Sequence, residues 1–63
     1  MTIESAPLVL TVEETAKLLR IGRSAAYDAA RRGEIPAVRI GRSLRVPRHA
    51  LEAMLAEAGG EGS

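Results

Sequence analysis

Sixty-three residues make one small domain, and at this size folding hides only about 60% of the surface that the unfolded chain exposes, so the core is thin. The chain has no cysteine, which excludes disulfides and thiolate metal sites and fits a reducing cytoplasm. No apolar run nears the ~20 residues of a membrane span, and the N-terminus lacks the basic-then-apolar order of a signal peptide. The net charge of +1 conceals a strong segregation. All nine basic residues lie between Lys17 and Arg48, where the only acids are Asp28 and Glu34, so this window carries +7. The flanks, with Glu4, Glu13 and Glu14 before it and Glu52, Glu57 and Glu61 after it, carry −3 each. A segregated basic block points to a polyanionic partner. Eight of the nine cations are arginines, whose planar fork suits phosphates and base edges better than simple solvation of a surface requires. Tyr27 is the single aromatic residue, too few for a platform that stacks single-stranded bases. Duplex DNA is therefore the partner that composition favours.

Residues 1–7 show no periodicity and read as a flexible lead, followed by a foldable segment over residues 8–58. Leu8, Val9 and Leu10 form a short apolar run expected to pack beneath the first helix. Thr11-Val12-Glu13-Glu14 has the form of a capping box, in which the Thr11 hydroxyl accepts from the amide of Glu14 and the Glu14 carboxylate accepts from the amide of Thr11. Both glutamates also suit the positive end of the helix dipole. Val12, Ala16 and Leu19 recur at helical spacing with Leu18 beside them, so the first helix runs to about Leu19. Gly22 stands where the chain must turn and restart, and glycine tolerates positive φ and close approach there. A second helix follows over residues 23–32, with Ala26, Ala29 and Ala30 facing the first helix. Arg23, Ser24, Tyr27, Asp28 and Arg31 then project from the other side. Gly33 ends this helix. Two short helices joined by a tight turn form a helix-turn-helix unit.

Val38 and Ile40 alternate with Arg39, and Leu44 and Val46 with Arg45, on either side of a glycine-containing turn. That is the pattern of a β-hairpin. Matching of faces favours a three-residue loop, Gly41 to Ser43, which pairs Arg39 with Arg45 and places Val38 opposite Val46. Two opposed arginines would repel, and an anion held between them would relieve that repulsion. With Arg42 at the tip, the hairpin is expected to offer three guanidinium groups to phosphate. Pro47 suits the first turn of a third helix, along which Leu51, Met54, Leu55 and Ala58 form an apolar stripe. His49 reads as a solvated bystander. Residues 59–63 read as a disordered tail.

Taken together, these residues resemble the excisionase-type winged helix-turn-helix domains, relatives of the MerR DNA-binding domain. The resemblance is carried by residues 10–19 (LTVEETAKLL), 22–27 (GRSAAY), 32–42 (RGEIPAVRIGR) and 44–51 (LRVPRHAL). It implies an α+β, mainly α fold: a helix-turn-helix, a two-stranded β-hairpin wing and a C-terminal helix. It also implies that the second helix enters the major groove while the wing lies on the adjacent backbone or minor groove. The recognition surface would then comprise Arg23, Ser24, Ala25, Tyr27, Asp28 and Arg31. The wing contacts would be Arg39, Arg42 and Arg45, with further backbone contacts from Arg20, Arg32 and Arg48. Two positions depart from the family pattern. Asp28 stands where relatives often carry a basic residue, and it suits either a cytosine amino group or an internal arginine. Gly22 replaces a usual serine cap.

The resemblance implies no catalytic residue, cofactor or metal. The expected role is that of an excisionase, or recombination directionality factor, of a bacteriophage or mobile element. Such a protein binds repeated sites cooperatively with other copies of itself, bends the DNA and directs the element's integrase toward excision, in the cytoplasm and nucleoid of a bacterial host. The alternative is a small MerR-like transcriptional regulator using the same surface. Only fifteen residues follow Arg48, short of the long dimerisation helix of MerR-type regulators, which favours the first expectation. An enzyme is excluded on chemistry: phosphoryl transfer needs a preorganised constellation around the phosphate, which one histidine and one tyrosine do not supply. A purely structural domain predicts no salt-dependent affinity for DNA.

Overall fold

The computed structural model describes residues 6–59. Six elements follow in order: β1 (Val9–Thr11), α1 (Val12–Leu19), α2 (Arg23–Arg32), β2 (Val38–Ile40), β3 (Ser43–Pro47) and α3 (Arg48–Gly59). The strands form one antiparallel sheet in the order β1-β3-β2. A small winged helix-turn-helix results, mainly helical, as the sequence predicts. Residues 1–5 of the expected lead and 60–63 of the expected tail lie outside the described residues. Ala6, assigned to the lead, is packed into the core at 4% exposure.

The apolar run Leu8-Val9-Leu10 differs from expectation. It supplies a strand rather than a support beneath a helix, with Val9 opposite Pro47, Leu10 opposite Val46 and Thr11 opposite Arg45. Leu10 and Val46 are both fully buried, so this cross-strand pair anchors the sheet to the core. Thr11 closes β1 and caps α1. Its hydroxyl accepts from the Glu14 amide at 3.0 Å, and its own amide donates to Glu14 Oε1 at 2.9 Å. Behind it the buried Thr15 hydroxyl donates to the Thr11 carbonyl at 2.9 Å.

Both helices of the unit end in the same motif. At the end of α2, Gly33 takes φ 83° while Glu34 N–H donates to Ala29 O at 2.8 Å, and Ile35 then turns into the core. At the end of α1, Ile21 N–H donates to Ala16 O at 3.0 Å and Arg20 N–H to Lys17 O at 3.2 Å. The left-handed residue there is Arg20 (φ 59°), not Gly22, whose φ is −69°. Gly22 serves instead as the N-cap of α2, without a side-chain bond. The left-handed position falls directly after the last turn of α1, where the helix's final carbonyls need donors.

The core comprises Ala6, Leu10, Val12, Ala16, Ala26, Ala29, Ala30, Ile35, Val46 and Leu51. Ala26, Ala29 and Ala30 present almost no bulk between α1 and α2, as their spacing predicts. The α3 stripe is only partly used: Leu51 is fully buried and Met54 half-buried, while Leu55 is 37% exposed and Ala58 lies on the surface. Burial therefore fades along α3 after Met54. Pro47 ends β3 rather than opening that helix.

The hairpin register also differs from expectation. Val38 pairs with Arg45, Arg39 with Leu44 and Ile40 with Ser43, leaving a two-residue loop of Gly41 and Arg42. Face matching assumes that Val38 and Ile40 are buried, yet they are 45% and 59% exposed. With no buried face on β2, the turn sets the register. Gly41 at φ 63° occupies the first central position, as a two-residue hairpin turn of type II′ requires.

Two stability predictions follow from this packing. Leu51→Ala should lose about 2–5 kcal/mol of unfolding free energy in urea titration, whereas Leu55→Ala should lose less than about 1 kcal/mol. Arg20→Gly should gain about 0.5–1 kcal/mol, because relief of the left-handed strain exceeds the entropy that glycine loses on folding.

Candidate nucleic-acid interface

The exposed side of α2 forms an open concavity of about 280 Å3 lined by Arg23, Ser24, Tyr27, Asp28 and Arg31. Five of the six expected recognition residues therefore meet around one surface. The sixth, Ala25, is exposed on the same helix but does not line the concavity. These side chains project together because the alanines on the opposite side of α2 are drawn against α1.

The surface is ordered by contacts between its own side chains. Asp28 Oδ1 pairs with Arg31 Nη1 at 3.2 Å, one turn apart. Of its two possible roles, Asp28 thus fills the internal one in this structure. The Arg31 guanidinium lies 5.9 Å from the centre of the Tyr27 ring, in cation–π range. The Tyr27 hydroxyl donates to Glu13 Oε2 at 3.2 Å, and Arg23 Nε lies 3.4 Å from the same oxygen. Glu13 belongs to α1, and sequence reasoning assigns it only to the helix dipole. Its contacts span ten and fourteen residues of sequence and arise from helix packing, so no local pattern announces them.

The wing is arranged differently from the sequence expectation. Arg39 lies opposite Leu44 and Arg45 opposite Val38, so the two arginines project from opposite faces of the hairpin. The repulsive Arg39–Arg45 pair and the anion expected between them are both removed by the register. Arg42 stands in the turn and is exposed. Arg45 is half-buried and donates from Nη1 to the Leu44 carbonyl at 3.0 Å. Among the described residues, Arg20, Arg39, Arg42 and Arg45 have no carboxylate partner, whereas Arg23, Arg31 and Arg32 each have one. Charge is neutralised on α2 and left open on the wing.

Arg48 departs furthest from its expected role. Its backbone N–H donates to Leu8 O at 2.9 Å and its Nη1 to Ala6 O at 2.8 Å. Its Nε lies 3.9 Å from Glu52 Oε2. These bonds tie the segment before β1 to the first turn of α3, which is a structural task. Arg32 pairs with Glu34 at 3.2 Å on the surface, and His49 is exposed, as expected. Among the described residues no helix is long and apolar enough to cross a membrane.

A helix-turn-helix with an arginine-bearing surface and a basic hairpin defines a duplex-DNA-binding class. Residues 9–59 match the family described as "Helix-turn-helix domain", and the chain belongs to that family. It is 51% identical over 45 residues to "Probable excisionase" of Saccharopolyspora erythraea, a match covering 71% of this chain and 46% of that protein. It is 47% identical over 47 residues to a "Putative DNA-binding protein" of Mycobacterium tuberculosis, found in two strains, covering 75% of this chain and 60% of that one. The chain thus spans about half the length of the curated relatives it matches. No solved structure matches it.

The contrast between Arg42 and Arg48 is testable. Arg42→Ala should lower the slope of log affinity against log salt by about one with no change in thermal stability. Arg48→Ala should leave that slope unchanged and reduce stability by about 1–3 kcal/mol, the range for lost hydrogen bonds to a charged group.

Proposed function

We propose that the protein is an excisionase, a recombination directionality factor of a phage or mobile element. The observation that carries this reading is its 51% identity, across 45 residues, to a relative whose name is that function. In this reading α2 enters the major groove, with Arg23, Ser24, Ala25, Tyr27, Asp28 and Arg31 facing base edges. Arg39, Arg42 and Arg45 hold the neighbouring backbone, and Arg20 and Arg32 lie at the margins. Phosphate contacts set position and base-edge contacts set sequence, which agrees with open charge on the wing and balanced charge on the helix. Copies on repeated sites bind cooperatively, the DNA bends between helix and wing, and the integrase of the same element is directed toward excision. The site of action is the bacterial cytoplasm, on the nucleoid.

A MerR-like transcriptional regulator is the second reading. The Mycobacterium tuberculosis relative's name speaks of DNA binding alone, and a regulator would use the same surface.

A salt titration of binding to the element's attachment-site duplex, to promoter duplexes and to random sequence separates the two. Excisionase function predicts steep salt dependence, preference for the attachment site, stepwise loading of several protomers and a further shift when the integrase is added. Preference for a promoter with indifference to the integrase would replace this reading with the regulator.

A further inference from the structure

A single carboxylate oxygen, Glu13 Oε2, touches two members of the α2 surface. It accepts from the Tyr27 hydroxyl at 3.2 Å and pairs with Arg23 Nε at 3.4 Å. Through the Tyr27 ring, 5.9 Å below the Arg31 guanidinium, it also supports a third. Capping of α1 does not require Glu13, because Glu14 supplies the carboxylate of the capping box. Its part in stability is small: the Arg23 and Glu13 side chains are 72% and 43% exposed, and exposed ion pairs and helix-dipole contacts each add little to folding. A negative charge beside a DNA-facing surface, moreover, weakens attraction to every phosphate.

We propose that Glu13 is a positioning residue that sets the sequence specificity of the recognition helix, acting through Arg23 and Tyr27. The inference rests on the reading that α2 faces base edges. Two physical effects combine. The contact through Nε restrains the guanidinium fork, whose other donors can grip a guanine edge, so less side-chain freedom is lost on base contact. The carboxylate also repels phosphate, which penalises docked arrangements that place the backbone rather than a base edge against Arg23. Discrimination gains from that repulsion as well as from the attraction. Together with Asp28 beside Arg31, Glu13 brings the two reading arginines to zero net charge. Non-specific affinity is thereby left to the wing.

Glu13→Gln tests this, because the amide oxygen still accepts from Tyr27 while the charge is lost. The probes are the duplex that the wild-type protein enriches from a random-sequence pool, and a random-sequence duplex of equal length. Glu13→Gln should bind the random duplex more tightly, and the ratio of enriched to random affinity should fall at least about fivefold, the lower end of one bidentate base contact. Adding Glu13→Gln to Arg23→Ala should lower the ratio by less than Glu13→Gln lowers it in the wild-type protein, since the part of the effect that runs through Arg23 is already gone and only the part through Tyr27 remains. Thermal melting should be nearly unchanged in both. An equal change in affinity for both duplexes would overturn the role of Glu13, reducing it to bulk charge. If Arg23→Ala lowers the ratio and Glu13→Gln does not, the Glu13 proposal fails and the reading of α2 stands. Enrichment of no sequence, or an unchanged ratio in Arg23→Ala, would overturn both.

Discussion

The geometry of this protein depends on Thr11. It is the last residue of β1, opposite Arg45 of the wing strand, and the N-cap of α1. One residue thus belongs to the sheet and to the helix-turn-helix unit with no linker between them. Its capping box and the buried Thr15 hydroxyl fix the direction in which α1 leaves the sheet. The short turn at Arg20–Gly22 then carries α2 back across α1. The helix-turn-helix unit is joined to the wing strand at Thr11.

A core built on alanine has a consequence beyond stability. Ala26, Ala29 and Ala30 let α2 lie close to α1, and a carboxylate from α1 can reach the exposed side of α2 only at short range. Larger core residues would bury more area and separate the helices. The thin core is offset elsewhere by polar ties, chiefly Arg48, which joins the segment around Ala6 and Leu8 to α3. An arginine that seems one more cation of a basic block is in fact a fastener of the fold.

The +7 window is therefore not one uniform patch. Among the described residues, Arg23, Arg31 and Arg32 carry carboxylate partners, Arg48 is bound into the scaffold, and Arg20, Arg39, Arg42 and Arg45 carry no such partner. In the proposed reading, long-range attraction to a polyanion would come mainly from this last group, and the balanced charges on α2 would favour base reading over mere adhesion. Net charge conceals the difference between the two groups.

Sequence alone determined what is local. The capping box at Thr11 and Glu14, the bounds of both helices, the alanine face of α2 and the left-handed Gly33 all follow from interactions within a turn or two of helix. The hairpin was legible as alternation, and the excisionase-type family as an ordered set of short motifs. Tertiary structure decided whatever depends on residues distant in the chain. β1 exists because β3 offers it an edge, so Leu8-Val9-Leu10 could not announce a strand. The hairpin register followed the turn at Gly41, because packing leaves both sides of β2 exposed and no buried face was present to choose. Arg20 rather than Gly22 took the left-handed position, because the end of α1 fell two residues before the glycine. Glu13 joined the exposed surface of α2, and Arg48 was tied to the segment before β1, through contacts that only the packed elements create. Periodicity reports which side of an element is apolar; it carries no information about which charged side chains on two different elements will meet.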